Sequence, residues 1–141
     1  MRSVVLDTNI WVSTIIKKQG YYAQMVQRML PHIEVVISEP ILSEIRHTLL
    51  KDRIKKKYQL SDALIDQAVH GIRAYTTVVT HLPTLDVVSK DPDDNVVLAT
   101  ALAAGADFLV SYDPHLLAIQ KHEGVSVLTP KQFMVILEGS Q

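Results

Sequence analysis

Four carboxylates fall where a parallel α/β sheet gathers its ligands. Asp7 directly follows the apolar run Ser3 to Leu6, and Asp113 lies just past the run Asp107 to Val110. Glu44 sits about two turns into the helical segment that begins near Ser38. Asp94 sits in the first turn of the helical segment before Asp107. In open parallel sheets, ligands bind in the crevice beyond the C-terminal strand ends. Acids converging there repel one another, which raises their pKa values unless a cation is present. The chain has no Cys, and its six His form neither an HExxH motif nor any other close pair of metal ligands. Hard oxygen ligands in that setting suit Mg²⁺ or Mn²⁺. An acid-lined divalent site then points to metal-assisted phosphodiester chemistry, with water as nucleophile and the metal steadying the leaving oxygen.

Each acid also has a plainer explanation. Asp at a strand-to-helix junction is a favoured N-cap and suits the helix dipole. Asp91-Pro92 and Asp113-Pro114 both read as a cap followed by Pro at the first helical position. Asp94 resists that reading, because at helical spacing it shares a face with Val97, Leu98 and Ala101, whereas Asp93 turns away. A pure cap has no reason to point at a core, where an unpaired carboxylate is expensive. Glu44 lies on the flank of its apolar stripe, between Ile41 and Thr48, where a solvated side chain is the ordinary outcome.

The elements that must position these acids are short. With 141 residues, the chain is of a size for one domain over 1–141, and it can bury about two thirds of its unfolded surface. The runs Ser3 to Leu6, Glu34 to Ile37, Thr76 to Val79, Asp107 to Val110 and Val125 to Leu128 read as strands. The first is apolar on both strand faces, as a central parallel strand covered by helices on each side should be. Helical stripes fill the gaps: Met25, Val26, Met29 and Leu30; Ile41, Leu42, Ile45 and Leu49, introduced by Ser38 and Pro40; and a segment opened by Ser61. A further helix runs through Val96 to Ala104 with Gly105 to close it, and Thr129-Pro130-Lys131-Gln132 forms a capping box before Phe133. This alternation predicts a three-layer α/β/α domain with a central parallel sheet and right-handed crossovers.

Composition narrows the function. The net charge of −1 and 21% charged residues exclude a uniformly basic nucleic-acid coat and a disordered polyelectrolyte. The five glycines are scattered, which excludes Gly-rich phosphate loops. No apolar stretch approaches the roughly 18 residues of a membrane span, so no membrane association is expected. The lack of Cys fits a reducing cytoplasm, the expected location.

Val4-Val5-Leu6-Asp7-Thr8-Asn9, Ser38-Glu39-Pro40-Ile41-Leu42-Ser43-Glu44-Ile45, Asp91-Pro92-Asp93-Asp94-Asn95 and Leu109-Val110-Ser111-Tyr112-Asp113 together resemble the PIN domain. The likeness is to the small prokaryotic PIN proteins of toxin-antitoxin pairs, of the VapC type, and it extends to the terminal Thr-Pro-Lys-Gln-Phe helix. Any one motif is weak, and the four in order and spacing are specific. The resemblance implies a Mg²⁺- or Mn²⁺-dependent endoribonuclease with a sheet of about five parallel strands. By the same resemblance, Asp7, Glu44, Asp94 and Asp113 match the four acids of the catalytic and metal site. Thr8 or Asn9, together with Ser111, match its small polar supports, and Asp91 and Asp93 match acids beside the third. It also implies an RNA substrate, a homodimer and a cognate antitoxin whose tail covers the crevice. One departure stands out: Leu116-Leu117 occupies the place where such proteins often carry an Asp-Phe pair.

Two further features bear on RNA. Arg46 and the run Lys51-Asp52-Arg53-Ile54-Lys55-Lys56-Lys57 could grip phosphates, with Arg46, Lys55, Lys56 and Lys57 the candidates, or could be a solvated cationic helix end. Trp11, Tyr21 and Tyr22 read as core or dimer-interface residues in preference to base-stacking platforms. Two alternative functions compete. An aspartate-based phosphatase would want a second Asp where Asn9 stands, and a receiver would want its acceptor where Thr80-His81-Leu82-Pro83 is found. A non-catalytic PIN scaffold would be marked by loss of a core acid, and none is lost.

Overall fold

In a computed structural model, which describes residues 2–85 and 92–139 (92 and 93 by backbone alone), strands and helices alternate along the chain. The order is β1 (Ser3–Leu6), α1 (Thr8–Ile16), α2 (Tyr21–Met29), β2 (Glu34–Ser38), α3 (Glu39–Leu50), α4 (Asp52–Lys55), α5 (Asp62–Tyr75) and β3 (Thr77–Val79). It continues with α6 (Pro92–Ala104), β4 (Phe108–Val110), α7 (Pro114–Leu117), β5 (Lys121–His122), β6 (Val125–Leu128) and α8 (Pro130–Gly139). The sheet runs β3-β2-β1-β4-β6-β5, parallel except for β5. β1 lies inside the sheet with all four residues buried, so helices cover both of its faces. That is the three-layer α/β/α arrangement its apolar run predicts.

The sheet has one strand more than the sequence suggested. β5 is two residues long and pairs antiparallel with β6, with His122 opposite Val125. Glu123 (φ 48°) and Gly124 (φ 87°) make the two-residue turn between them. Two successive positive φ values are what a tight hairpin needs, and Glu is an uncommon first residue for it. Two other local signals are realised as read. Gly105 ends α6 with φ 60°. Thr129 and Gln132 exchange hydrogen bonds, Gln132 N–H donating to Thr129 Oγ1 (3.1 Å) and Thr129 N–H to Gln132 Oε1 (2.9 Å).

Ser38 departs from the expectation. It opens α3, but its hydroxyl does not cap the helix. It lies 2.7 Å from Thr100 Oγ1 on α6, and both residues are fully buried. Thr100 Oγ1 also donates to the Val96 carbonyl (2.9 Å), which leaves Ser38 as the donor of the pair. The two partners should therefore differ in mutational cost. Ser38→Ala leaves Thr100 its acceptor and is expected to cost about 1 kcal/mol, whereas Thr100→Val strands a buried Ser38 donor and is expected to cost about 2–3. Urea unfolding of the two variants checks the order, and Ser38→Ala costing more would refute this donor assignment.

The layout points the helix starts at one edge. α6 crosses β3, β2, β1 and β4, and α3 packs on β2, α1 and α5. Because β1, β2 and β4 are parallel, their C-terminal ends lie on the same edge of the sheet, where α1 and α3 begin. Among the described residues, no helix is long and apolar enough to cross a membrane.

Candidate active site

Asp7 is the residue at which β1 becomes α1. Its N–H extends the ladder by one residue, donating to Val110 O (2.9 Å), and its extended backbone makes it the helix N-cap. The carboxylate is 7% exposed and has fixed partners: Oδ1 accepts from Thr8 N–H (2.7 Å) and Oδ2 from the Ser111 hydroxyl (2.7 Å). Ser111 is fully buried just past β4, and its Oγ in turn accepts from Asp113 N–H (2.9 Å). Asp113 caps α7 by accepting from His115 N–H (2.7 Å), as the Asp-Pro pair predicted, and stays half-buried. One hydroxyl thus ties two acidic junctions, those after β1 and β4, into a single hydrogen-bonded unit.

Asp94 is 5% exposed on the face of α6 that carries Val97, Leu98 and Ala101, all buried. Glu44 on α3 is half-buried, with Oε1 3.5 Å from Thr48 Oγ1. A small pocket of about 40 Å³ joins the three helices, lined by Thr8 of α1, Pro40, Ile41 and Glu44 of α3, and Val96 and Val97 of α6. Thr8 is buried and Asn9 is exposed. Asp91 lies outside the described residues, as does the side chain of Asp93.

The side chains of Asp7, Glu44, Asp94 and Asp113 offer oxygen donors, a set that suits a hard divalent cation. The carboxylates line the crevice without closing on one point: among the described residues, no three acidic or imidazole side chains are grouped tightly enough to hold one ion.

The basic run is carried away from this edge. α3 is 12 residues long, so it delivers Lys51 and α4 about 18 Å along its axis from Ser38. Arg46 is paired with Asp66 and Lys55 with Asp62, both across to α5. The Lys55 ammonium beside Asp62 holds that carboxyl below the usual range. Lys56 and Lys57 are exposed.

The aromatic residues divide. Trp11 is buried, as a core residue should be, but Tyr21 is exposed. Tyr22 is half-buried and stacks on Tyr112, with ring centroids 6.0 Å apart and planes at 24°. Tyr112 was not among the residues singled out from sequence, although its place between Ser111 and Asp113 was a usable signal. An aromatic ring held between two polar junction residues cannot be wholly in the core.

Comparison with known proteins bears on this geometry. A family model described as PIN domain matches residues 3–115. No curated protein matches the chain. Among solved structures, the chain is similar to one from the crystal structure of VapBC2 from Rickettsia felis bound to a DNA fragment from their promoter. There the TM-score is 0.63 at 15% identity, over 90% of this chain and 98% of that one. It is similar also to PAE2754 from Pyrobaculum aerophilum, with TM-score 0.63 at 16% identity, over 98% of this chain and 90% of that one. At such identities the likeness is one of fold.

Proposed function

The chain belongs to the PIN domain family, and on that premise we propose that it is a metal-dependent endoribonuclease, the toxin of a toxin-antitoxin pair. The observation that carries this reading is the placement of Asp7 and Asp94. Two nearly buried carboxylates lie on adjoining elements at the ligand-binding edge of a parallel sheet, with Glu44 and Asp113 half-buried nearby. A fold built only for stability gains nothing by burying carboxylates at one edge of its sheet.

Asp7, Asp94 and Asp113, with Glu44, would hold Mg²⁺ or Mn²⁺, directly or through water. The ion would supply the positive charge that offsets the crowded carboxylates and steadies the leaving oxygen. The protein's own part is positional. Ser111 fixes the Asp7 carboxylate by donating to Oδ2, while Thr8 N–H holds Oδ1. Glu44, half-buried and so reached by solvent, would take a proton from the attacking water. Thr8, Asn9 and Asp93 flank the acids as supporting groups.

Incubation with a mixed panel of structured and single-stranded RNAs in Mn²⁺ tests this reading, with EDTA and Asp94→Asn alongside. Cleavage lost in both controls is the expected result. A second reading, a non-catalytic scaffold, draws on the open spacing of the carboxylates. It would be favoured if neither RNA cleavage nor Mn²⁺ binding were detected.

The basic run makes a limited contribution in this proposal. With Arg46 and Lys55 tied to α5, Lys56 and Lys57 are the two of those four candidates outside an ion pair among the described residues, with Lys57 Nζ 5.3 Å from the Tyr58 ring centroid. Replacing Lys55, Lys56 and Lys57 by Ala is expected to flatten the salt slope of RNA binding by about 1.4, from about 0.7 per single-strand phosphate contact. A drop of three contacts' worth would show that the Lys55–Asp62 pair opens on binding.

A protein partner of the antitoxin kind completes the reading. It is supported by the fold likeness to a chain of the VapBC2 structure. It is supported too by a largely apolar cleft of about 390 Å³ between α1, α2 and α5, lined by Trp11, Ile15, Val26, Leu30, Ile72 and Tyr75 among others. Sedimentation of the chain alone tests the homodimer that belongs to the same proposal.

A further inference from the structure

Three tyrosine rings form a continuous row that starts at the acid crevice. Tyr112 lies between Ser111, which bonds Asp7, and Asp113, whose N–H bonds Ser111, so its backbone is fixed by the site itself. Its ring stacks on Tyr22 at the start of α2, and Tyr22 meets Tyr21 edge to face with centroids 5.5 Å apart. The two ends of the row are open to solvent: Tyr112 is 45% exposed and Tyr21 55%. Single exposed apolar side chains are ordinary, but rings in contact with one another make a contiguous patch of the kind that marks an interaction site.

We propose that Tyr112, backed by Tyr22 and Tyr21, is the platform on which an unpaired nucleobase next to the scissile phosphate stacks. This rests on the ribonuclease reading above. Every base has a π face, so such a platform favours unpaired strands without fixing a sequence. The rings of a duplex are already stacked on one another and cannot use it. Continuity with the acid edge favours RNA over a second copy of the chain as the occupant, because Tyr112 stands between Ser111 and Asp113, two residues of that edge.

The test measures binding of a labelled unpaired oligoribonucleotide and of the corresponding blunt duplex by fluorescence anisotropy in EDTA, and cleavage of both in Mn²⁺. Tyr112→Ala is expected to weaken binding of the unpaired strand about tenfold and to leave the duplex within about twofold, and Tyr112→Phe is expected to match the wild type. Tyr21→Ala, at the far end, should show a smaller loss of the same kind. Equal losses on both RNAs, or none on either, would overturn the platform. So would a dimer that falls apart in Tyr112→Ala on sedimentation, since the row would then be a face between copies. The ribonuclease reading is judged separately, by cleavage in the wild type and its loss in Asp94→Asn. Cleavage that ignores Tyr112 defeats the platform alone, and a wild type that binds neither RNA defeats both.

Discussion

Asp94→Asn is expected to lower Mn²⁺-dependent RNA cleavage by about a thousandfold, because charge stabilisation by a bound metal is worth several kcal/mol and each 1.4 or so is tenfold. The same change is expected to raise the melting temperature measured in EDTA. Asp94 is 5% exposed on an apolar helix face, where desolvation disfavours the charged form, so a neutral isostere is the less costly occupant. A gain of about 1 kcal/mol corresponds to roughly 3 °C for a domain of this size. Mn²⁺ at a hundred times its Kd should stabilise the wild type by about 2.7 kcal/mol and the variant hardly at all. Asp7→Asn should lose cleavage equally but without the thermal gain. Its carboxylate accepts on one side from Thr8 N–H and on the other from Ser111, and an amide offers only one acceptor oxygen. Scanning calorimetry with and without Mn²⁺ reads both effects. An Asp94→Asn enzyme within tenfold of wild type, showing the same Mn²⁺ shift, would remove Asp94 from the site.

The opposed directions of those two readouts reflect a general trade. Groups placed for chemistry are seldom placed for stability, and stabilising changes at an active site often cost activity. Here the cost is concentrated at one sheet edge, while the strands beneath it are among the most completely buried residues of the chain: Val4, Val5, Leu6, Leu109 and Val110. A rigid parallel core holding an unfavourable edge is what lets the edge exist.

How much of this could be read from sequence follows from how local each signal is. A strand apolar on both faces, a capping box and a C-terminal Gly each act within a few residues, and β1, the start of α8 and the end of α6 are formed as those signals predict. Asp7, Asp94 and Asp113 stand out for the same reason, since each lies at an element junction or in the first turn of a helix, whereas Glu44 lies in the middle of α3. What could not be read depends on partners far along the chain. Ser38 looks like a cap, yet its hydroxyl goes to Thr100, 62 residues away. Arg46 and Lys55 look free, yet α5 supplies Asp66 and Asp62. Tyr112 was overlooked because its neighbours in the row, Tyr21 and Tyr22, are some 90 positions earlier. β5 escaped because its turn uses Glu at a positive φ, where Asn or Asp would have been a signal.

Leu98→Ala should give the opposite result to Asp94→Asn, from a position one turn further along the same helix. Leu98 is fully buried on α6, which crosses four strands of the sheet. Truncating it removes transfer energy and leaves a hole that the sheet closes only in part, an expected cost of about 3–4 kcal/mol. That is a large share of the roughly 5–15 kcal/mol available to a domain, and lowers the melting temperature by about 10 °C. Ala is at least as good a helix former as Leu, so no part of the cost comes from backbone propensity, and α6 itself should persist. Below the melting transition, cleavage is therefore expected to remain within about tenfold of wild type, since a misplaced group and not a missing one is the worst outcome. Val135→Ala on α8, at a side chain 66% exposed, should change stability by no more than about 0.5 kcal/mol and serves as the reference. Thermal unfolding paired with Mn²⁺-dependent cleavage at low temperature separates the two positions. If Leu98→Ala lost cleavage as completely as Asp94→Asn while still folded, the first turn of α6 would depend on packing through Leu98 for its geometry. The acid edge and the core would then be one mechanical unit instead of a charged site resting on an independent scaffold.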